Sequence, residues 1–404
     1  MKKVLLGIFT DGYPNNIAGG PNNIIFKILS SLNNNNLEID YISSDIYQKN
    51  MSGARLIGLS KKLSLWKRFF KYLSSNSKFY RDIFSNDLYL PIHFHKRITY
   101  FKRKLRFIDK YDIIHSSDSI FLGLLNLKGK KIKTILTIHS KGPLSDELCE
   151  IGTNQIIKNY IKNKLKKLEV KGIANADLIT FPSLAAQKYF EKSLKKILPR
   201  ERVRIIHNGI DLDYINAIDN NPQLLEKYLI DKKKEIILLN IASHVPEKNI
   251  SKLIEVVEIL VNKFKVDVLF VNIGKKDDKN NYKNLVNKKG LNDNIKFLGE
   301  LPNNDVIGLI KLCDVFLMLS EKVIFDLVVI EALACGANVV VSNQGGNKEI
   351  IQNGKNGYLV DQDNYYVVAK TILSIKEKQF YESAIKTSKN YSLERMVDQY
   401  LQLY

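Results

Sequence analysis

The segment from Val315 to Ser342, VFLMLSEKVIFDLVVIEALACGANVVVS, holds three structural signals in succession. Val315 to Leu319 is an apolar run of strand length, followed by the polar residues Ser320, Glu321 and Lys322. Leu327 to Cys335 is long enough for a helix. It stops at Gly336, a residue type that ends helices because it takes left-handed backbone without strain. Asn338 to Val341 is a second strand-length run. Strand, helix and strand in that order make a parallel pair. Within the helix Glu331 is the odd residue, flanked by Val328, Val329, Ile330, Ala332, Leu333 and Ala334. A carboxylate in such surroundings needs hydrogen-bond donors. Sugar or ribose hydroxyls would serve, and so would a salt bridge inside the protein.

The same alternation runs through the chain. Short apolar runs at Val4 to Phe9, Ile113 to His115, Thr134 to His139, Leu178 to Phe181, Ile236 to Ile241 and Val268 to Ile273 are separated by amphipathic stretches. This predicts an α/β protein with parallel sheets. The runs exceed one sheet of average size, and 404 residues exceed what one core usually supports. A polar, charged stretch from Leu212 to Glu235 precedes the second series. The expectation is therefore a domain over residues 1–211, a second over 212–389, and a helix over 390–404 returning to the first. Leu393, Met396, Val397, Tyr400, Leu401 and Tyr404 give that last stretch its helical spacing.

The charge balance, 62 basic against 42 acidic residues, leaves a formal +20 and implies anionic partners. No helix-turn-helix, zinc finger or aromatic RNA-binding motif accompanies it, so nucleic acid is not expected. From Arg55 to Lys110 basic residues, among them Lys61, Arg68, Arg97, Lys102, Arg103 and Arg106, stand among Leu65, Trp66, Phe69, Phe70 and Phe101. Such a mixture suits an anionic membrane surface, or equally a core whose lysines face water. Three scattered cysteines, Cys149, Cys313 and Cys335, suggest a reducing compartment without structural zinc. The apolar run after Met1 is too short for a secretory signal, and no stretch approaches the roughly 20 apolar residues of a membrane span. A cytoplasmic protein, soluble or peripheral at the inner membrane face, is expected.

Three loops could hold a ligand. Asp11 to Asn22, with Gly19 and Gly20, follows the first strand and precedes a helical pattern. Glycines there let backbone approach a ligand closely, but the spacing is not that of GxGxxG, which disfavours a nicotinamide enzyme. His207-Asn208-Gly209 is explained by turn chemistry alone. In Ser243 to Asn249, Lys248 sits at a helix start, where a cation opposes the macrodipole unless an anion joins it.

Gly19-Gly20, Tyr111-Asp112-Ile113-Ile114-His115, Thr137-Ile138-His139, Pro182-Ser183, Asn208-Gly209-Ile210-Asp211, Pro246-Glu247-Lys248, Gly299, Ser320, Glu331-Ala332-Leu333-Ala334-Cys335-Gly336, Gly345-Gly346 and Asn356-Gly357 occur in that order. In this order and spacing the chain resembles the retaining glycosyltransferases of family 4, which have the GT-B fold of two facing Rossmann-like domains. The resemblance implies a site between the domains, with a first, acceptor-side domain and a second that binds the donor. It implies that Glu331 holds the donor ribose, Lys248 the donor diphosphate, and His139 the donor sugar, with Gly19 and Gly20 closing over the phosphates. Ser243, Asp326, Leu327 and Val328 complete the expected donor-binding set. The implied reaction moves a sugar from a nucleotide-sugar co-substrate to a saccharide or lipid-linked saccharide, as in lipopolysaccharide or capsule assembly, without a cofactor or divalent metal. The chain departs from the family pattern twice. Val323 stands where the first glutamate of E-x7-E is usual, and Ser243 where an arginine is usual. These departures motivate a rival reading, a binding module that keeps nucleotide recognition without catalysis. A sugar-nucleotide epimerase would need a general-base set for which the sequence offers no clear candidates.

Overall fold

The computed structural model describes residues 2–7, 37–42, 54–57, 98–99, 101–103, 105–147, 155–230, 234–275, 282–375 and 379–404. The chain divides into two compact units. The first comprises Met1–Pro182, Ala186–Ile206 and Tyr400–Tyr404; the second comprises Ser183–Ala185 and His207–Gln399.

The first unit holds a seven-stranded sheet, parallel throughout. Its strands are β1 (Lys2–Gly7), β2 (Leu37–Ile42), β3 (Ala54–Ile57), β4 (Ile113–Ser116), β5 (Lys133–Thr137), β6 (Leu178–Phe181) and β7 (Val203–Ile205), in spatial order β3-β2-β1-β4-β5-β6-β7. The second unit holds a six-stranded parallel sheet of β8 (Ile236–Ile241), β9 (Val268–Ile273), β10 (Ile295–Gly299), β11 (Val315–Met318), β12 (Asn338–Ser342) and β13 (Tyr358–Val360). Its order is β10-β9-β8-β11-β12-β13. In both sheets the chain first winds one way from the founding strand, then returns to that strand's other side. The pairs β1/β4 and β8/β11 are therefore switch points, the places where doubly wound sheets bind ligands beyond the carboxyl ends of their strands.

Burial explains the continuous apolar runs. Leu239, Val271, Phe316 and Val339 enter the core on one face of the second sheet, while Leu238, Phe270, Leu317 and Val340 enter the core on the other. A strand covered on both faces has no polar phase. Five strands lay outside the sequence expectation, and their composition shows why. Val203–Ile205 and Tyr358–Val360 have only three residues each, and Leu37–Ile42 is interrupted by Glu38 and Asp40. Ala54–Ile57 and Ile295–Gly299 are likewise short and broken by Arg55 and Lys296.

Two boundaries differ from the expectation. The units divide after Ile206 rather than at 211, because residues 207–211 are bonded to the carboxyl-terminal segment. Ile210 donates to Tyr391 O at 3.0 Å and accepts from Leu393 N at 2.7 Å. The expected helix over 390–404 is a short 3₁₀ turn, Lys389–Tyr391, followed by an α-helix over Leu393–Leu401, and only Tyr400–Tyr404 count with the first unit. There Tyr404 Oη lies 2.6 Å from His115 Nδ1, and Lys2 Nζ donates to Tyr404 O at 2.6 Å.

Four helices matter below: α1 (Ser119–Leu124), α2 (Leu144–Glu147), α3 (Gln155–Asn175) and α4 (Leu327–Ala334). Helices α1 and α3 pack backbone to backbone. A Cβ on Gly123 would lie 1.9 Å from Leu168 O, and one on Gly172 would lie 1.7 Å from Ser119 O. The end of α4 is set by Gly336, at φ +72°.

Of the basic, aromatic stretch, residues 98–99, 101–103 and 105–110 are described, together with the short strand β3. Phe101 is core, edge-on to Phe121 at 5.7 Å between ring centroids. Phe107 is 77% exposed beside the exposed Arg106. Lys61, Trp66, Phe69 and Phe70 lie outside the described residues.

Candidate functional site

The carboxyl edge of the second sheet opens between β8 and β11. Their ladder covers only Val315 opposite Leu238 and Phe316 opposite Leu239. At the next position a side chain takes over: Asn240 Nδ2 donates to Leu317 O at 2.7 Å. Its neighbour in register, Asn272, donates from Nδ2 to Asn240 Oδ1 at 2.9 Å. His244 Nε2 lies 2.8 Å from Asn272 Oδ1, and since a carbonyl oxygen can only accept, the imidazole donates. All three side chains are buried, and the His244 ring is edge-on to Tyr282 and Phe297 at 5.1 and 5.3 Å. The two strands thus part at their carboxyl ends while the side chains of Asn240, Asn272 and His244 bond one another and Leu317 O.

Two loops flank the opening. After β8 the chain makes a 3₁₀ turn, Pro246–Lys248, and Asn249 follows at φ 52°. After β11 it runs through Ser320 to Asp326, the residue preceding α4. The loops are fastened together. Asn249 Nδ2 donates to Leu319 O at 2.8 Å and to Glu321 Oε1 at 3.2 Å, Glu321 N donates to Glu247 O at 2.8 Å, and Lys252 Nζ lies 2.7 Å from Glu321 Oε1. Burial opposes ionisation of Glu321, but the hydrogen bonds from Lys252 and Asn249 outweigh it and hold its carboxyl below the usual range.

Lys248 Nζ lies 3.0 Å from Asp326 Oδ1, and their side chains are 26% and 18% exposed. Asp326 stands at the N-cap of α4 without capping it, and its Oδ2 is buried with no partner. The first amides of a helix have no carbonyl within it to bond, and they attract anions. A cation, a half-satisfied carboxylate and a helix amino end therefore converge at one switch point. Along α4, Val329, Ile330, Ala332, Leu333 and Ala334 are buried, whereas Leu327, Val328 and Glu331 are half-buried. Positions 327, 328 and 331 share one helical face. Glu331 is thus the polar member of the helix's accessible side rather than a charge enclosed in the core.

In the first unit His139 follows β5, with Ile138 N donating to Thr180 O at 2.9 Å. Its Nε2 is buried without a partner, and burial lowers the imidazole pKa to about 4. Below it His115 Nε2 lies 2.7 Å from Thr137 Oγ1, and burial first, then the field of His139, lowers its pKa to about 3. Both rings are neutral at neutral pH.

The structure thus brings Lys248, Asp326, Leu327, Val328 and Glu331 together, places His139 in the first unit, and leaves Gly19 and Gly20 outside the described residues. Ser243 is exposed at the start of its loop. Val323 is 3% exposed and belongs to the core, so the residue at the missing glutamate's position does not face the opening. His244 does not replace the missing arginine either, because its ring is committed to Asn272. Sequence reasoning overlooked Asn240 and Asn272; the available signal was a single Asn inside each of two apolar strands, IILLNI and VLFVNI.

The chain matches two family models: residues 74–214 match Glycosyltransferase Family 4, and residues 221–392 match Glycosyl transferases group 1. The chain belongs to glycosyltransferase family 4. Like its family, this glycosyltransferase has the GT-B fold. Sucrose-phosphate synthase from Thermosynechococcus elongatus superposes with a TM-score of 0.72 at 16% identity, covering 100% of this chain and 98% of that one. Among curated relatives, N-acetyl-alpha-D-glucosaminyl L-malate synthase of Bacillus anthracis is 25% identical over 282 residues, 68% of each chain. UDP-Gal:alpha-D-GlcNAc-diphosphoundecaprenol alpha-1,3-galactosyltransferase of Escherichia coli is 24% identical over 210 residues, 50% of this chain and 54% of the relative.

Proposed function

We propose that this glycosyltransferase transfers a sugar, with retention of configuration, from a nucleotide-sugar donor to a lipid-linked saccharide in lipopolysaccharide or capsule assembly. The observation that carries the donor half is the convergence of Lys248 with the amino end of α4, one turn from Glu331 on the same accessible face. Glu331 accepts from the ribose hydroxyls, Lys248 and the first amides of α4 hold the diphosphate, and neutral His139 lies against the sugar. As the bond from the anomeric carbon to the diphosphate breaks, the acceptor oxygen bonds that carbon on the same face, and the acceptor proton passes to the departing phosphate. No protein nucleophile is used. Catalysis comes from positioning and from stabilising the departing negative charge, with no divalent metal.

The Escherichia coli relative, named for a UDP sugar and a diphosphoundecaprenol acceptor, supports the donor class and a lipid-linked acceptor. Exposed Phe107 beside Lys102, Arg103 and Arg106 supports contact with an anionic membrane surface. Calorimetric titration with UDP-, GDP- and ADP-sugars, alongside Glu331→Ala, tests the reading. Selective binding lost in the variant is expected. No binding to any of them refutes the donor assignment, and binding without turnover to water or acceptor points to the non-catalytic module. Transfer abolished by EDTA would overturn the metal-free mechanism, and no sedimentation with anionic vesicles at low salt would overturn the membrane contact.

A further inference from the structure

Glu169, on α3, is 1% exposed and takes part in no ion pair among the described residues. A carboxylate enclosed in this way is expensive unless hydrogen bonds replace its water. It accepts four. Oε1 takes Ser119 Oγ at 2.9 Å and Leu144 N at 2.8 Å, and Oε2 takes Ser145 N at 3.3 Å and Ser145 Oγ at 2.8 Å. The donors come from α1 and from the beginning of α2, so one side chain joins three segments. It reaches them because Gly123 and Gly172 let α1 and α3 approach to backbone contact.

Leu144 and Ser145 end the loop that begins at His139. The loop is fixed at its start by Ile138 N on Thr180 O and at its end by Glu169. Between them, Ser140 Oγ donates to Gly142 O at 2.6 Å, and a Cβ on Gly142 would meet Ser193 Oγ at 2.8 Å, so little slack remains. Since His139 Nε2 has no partner, no bond to that atom orients the ring, and the backbone path must. We propose that Glu169 is a positioning residue, setting the loop that presents His139 to the donor sugar. This rests on the role proposed above for His139.

Glu169→Gln keeps the size of the side chain but turns an NH2 group toward donors that already point at it. In the full-length enzyme we expect kcat to fall roughly tenfold or more, the scale of effect that misplacement by a fraction of an ångström produces. The Kd for the nucleoside diphosphate, held by Lys248 and Glu331 in the other unit, should stay within about twofold, because an interaction made only in the transition state acts on kcat alone. Amide hydrogen exchange should accelerate over residues 139–147 and stay unchanged over 159–175. Glu169→Asp, which keeps the charge, should recover part of the rate. Wild-type kcat in Glu169→Gln, or exchange faster along the whole of α3, overturns the proposal. If wild-type protein transfers from no sugar nucleotide, the functional reading fails on its own, and the exchange result still decides whether Glu169 fixes the loop. Should Glu169→Gln not fold, Ser145→Ala, which removes one donor, should show the same pattern in smaller measure, and its absence there refutes the proposal.

Discussion

Replacing Lys248 by methionine separates what the residue does for the fold from what it does for the reaction. Among the described residues its side chain makes one ion pair, to Asp326 at 3.0 Å, between side chains 26% and 18% exposed. Ion pairs with that much access to water contribute about 1 kcal/mol or less, so Tm should fall by roughly 4 °C at most in a protein of this size. Toward a ligand the same ammonium is worth more. A charge-assisted hydrogen bond to phosphate contributes about 1.5–3 kcal/mol, so the Kd for the nucleoside diphosphate should rise roughly 10- to 100-fold. Loss of one group that stabilises departing charge lowers kcat by about 10²–10³. Calorimetry with the diphosphate, single-turnover transfer and a thermal melt on the same sample read the three effects. Asp326→Asn with Lys248 retained tells whether the neighbouring carboxylate competes with the ligand for the cation. A Kd within threefold of wild type, with Tm shifted as expected, would show that the diphosphate does not meet Lys248 and would refute the donor geometry.

Two further outcomes follow from the first unit. Gly172→Ala places a methyl 1.7 Å from Ser119 O, a backbone atom that cannot swing away, so urea unfolding should show a loss of at least about 2 kcal/mol, and an unchanged midpoint would refute the close helix packing. His115 and His139 stay neutral in the fold down to about pH 3 and 4, whereas in the unfolded chain each takes up a proton near pH 6.5. Their contribution is complete above pH 6.5 and is lost as the pH falls, at about 1.4 kcal/mol per pH unit for each ring until its folded pKa is reached. Denaturant midpoints at pH 7.5 and 5 should differ by roughly 2 kcal/mol per histidine, and His115→Gln should remove one of the two increments.

Much of this was legible in the sequence because strands covered on both faces print as uninterrupted apolar runs. Val268–Ile273 and Ile236–Ile241 could be read to the residue for that reason. The edge strand Tyr358–Val360 and the interrupted Leu37–Ile42 carry no such signature, since three residues define no period and acids at every second place look like a loop. At the site, Glu331 and Lys248 stood out as residues that conflict with their local surroundings; Lys248 lies in one of the two joined loops and Glu331 one turn into the helix that follows the other. Glu331 is less enclosed than its neighbours in sequence suggested, because neighbours in sequence occupy all sides of a helix, and Leu327 and Val328, which share its face, are half-buried with it. Glu169 and the pair Asn240 and Asn272 were not legible. Their partners are 24 to 77 residues away, and no local pattern records such a pairing.

His244, Asn272 and Asn240 each pass a hydrogen bond to the next, ending on Leu317 O, so His244 gives, the two asparagines both take and give, and the last oxygen takes. An apolar replacement at any link takes a hydrogen-bond partner from each neighbour it had in the chain. Libraries built to change the donor sugar by varying Ser243 to Lys248 would therefore do best to hold His244 constant, or to vary all three links together. The freedom lies in Ser243 and Val245, whose side chains face water on either side of the fixed ring.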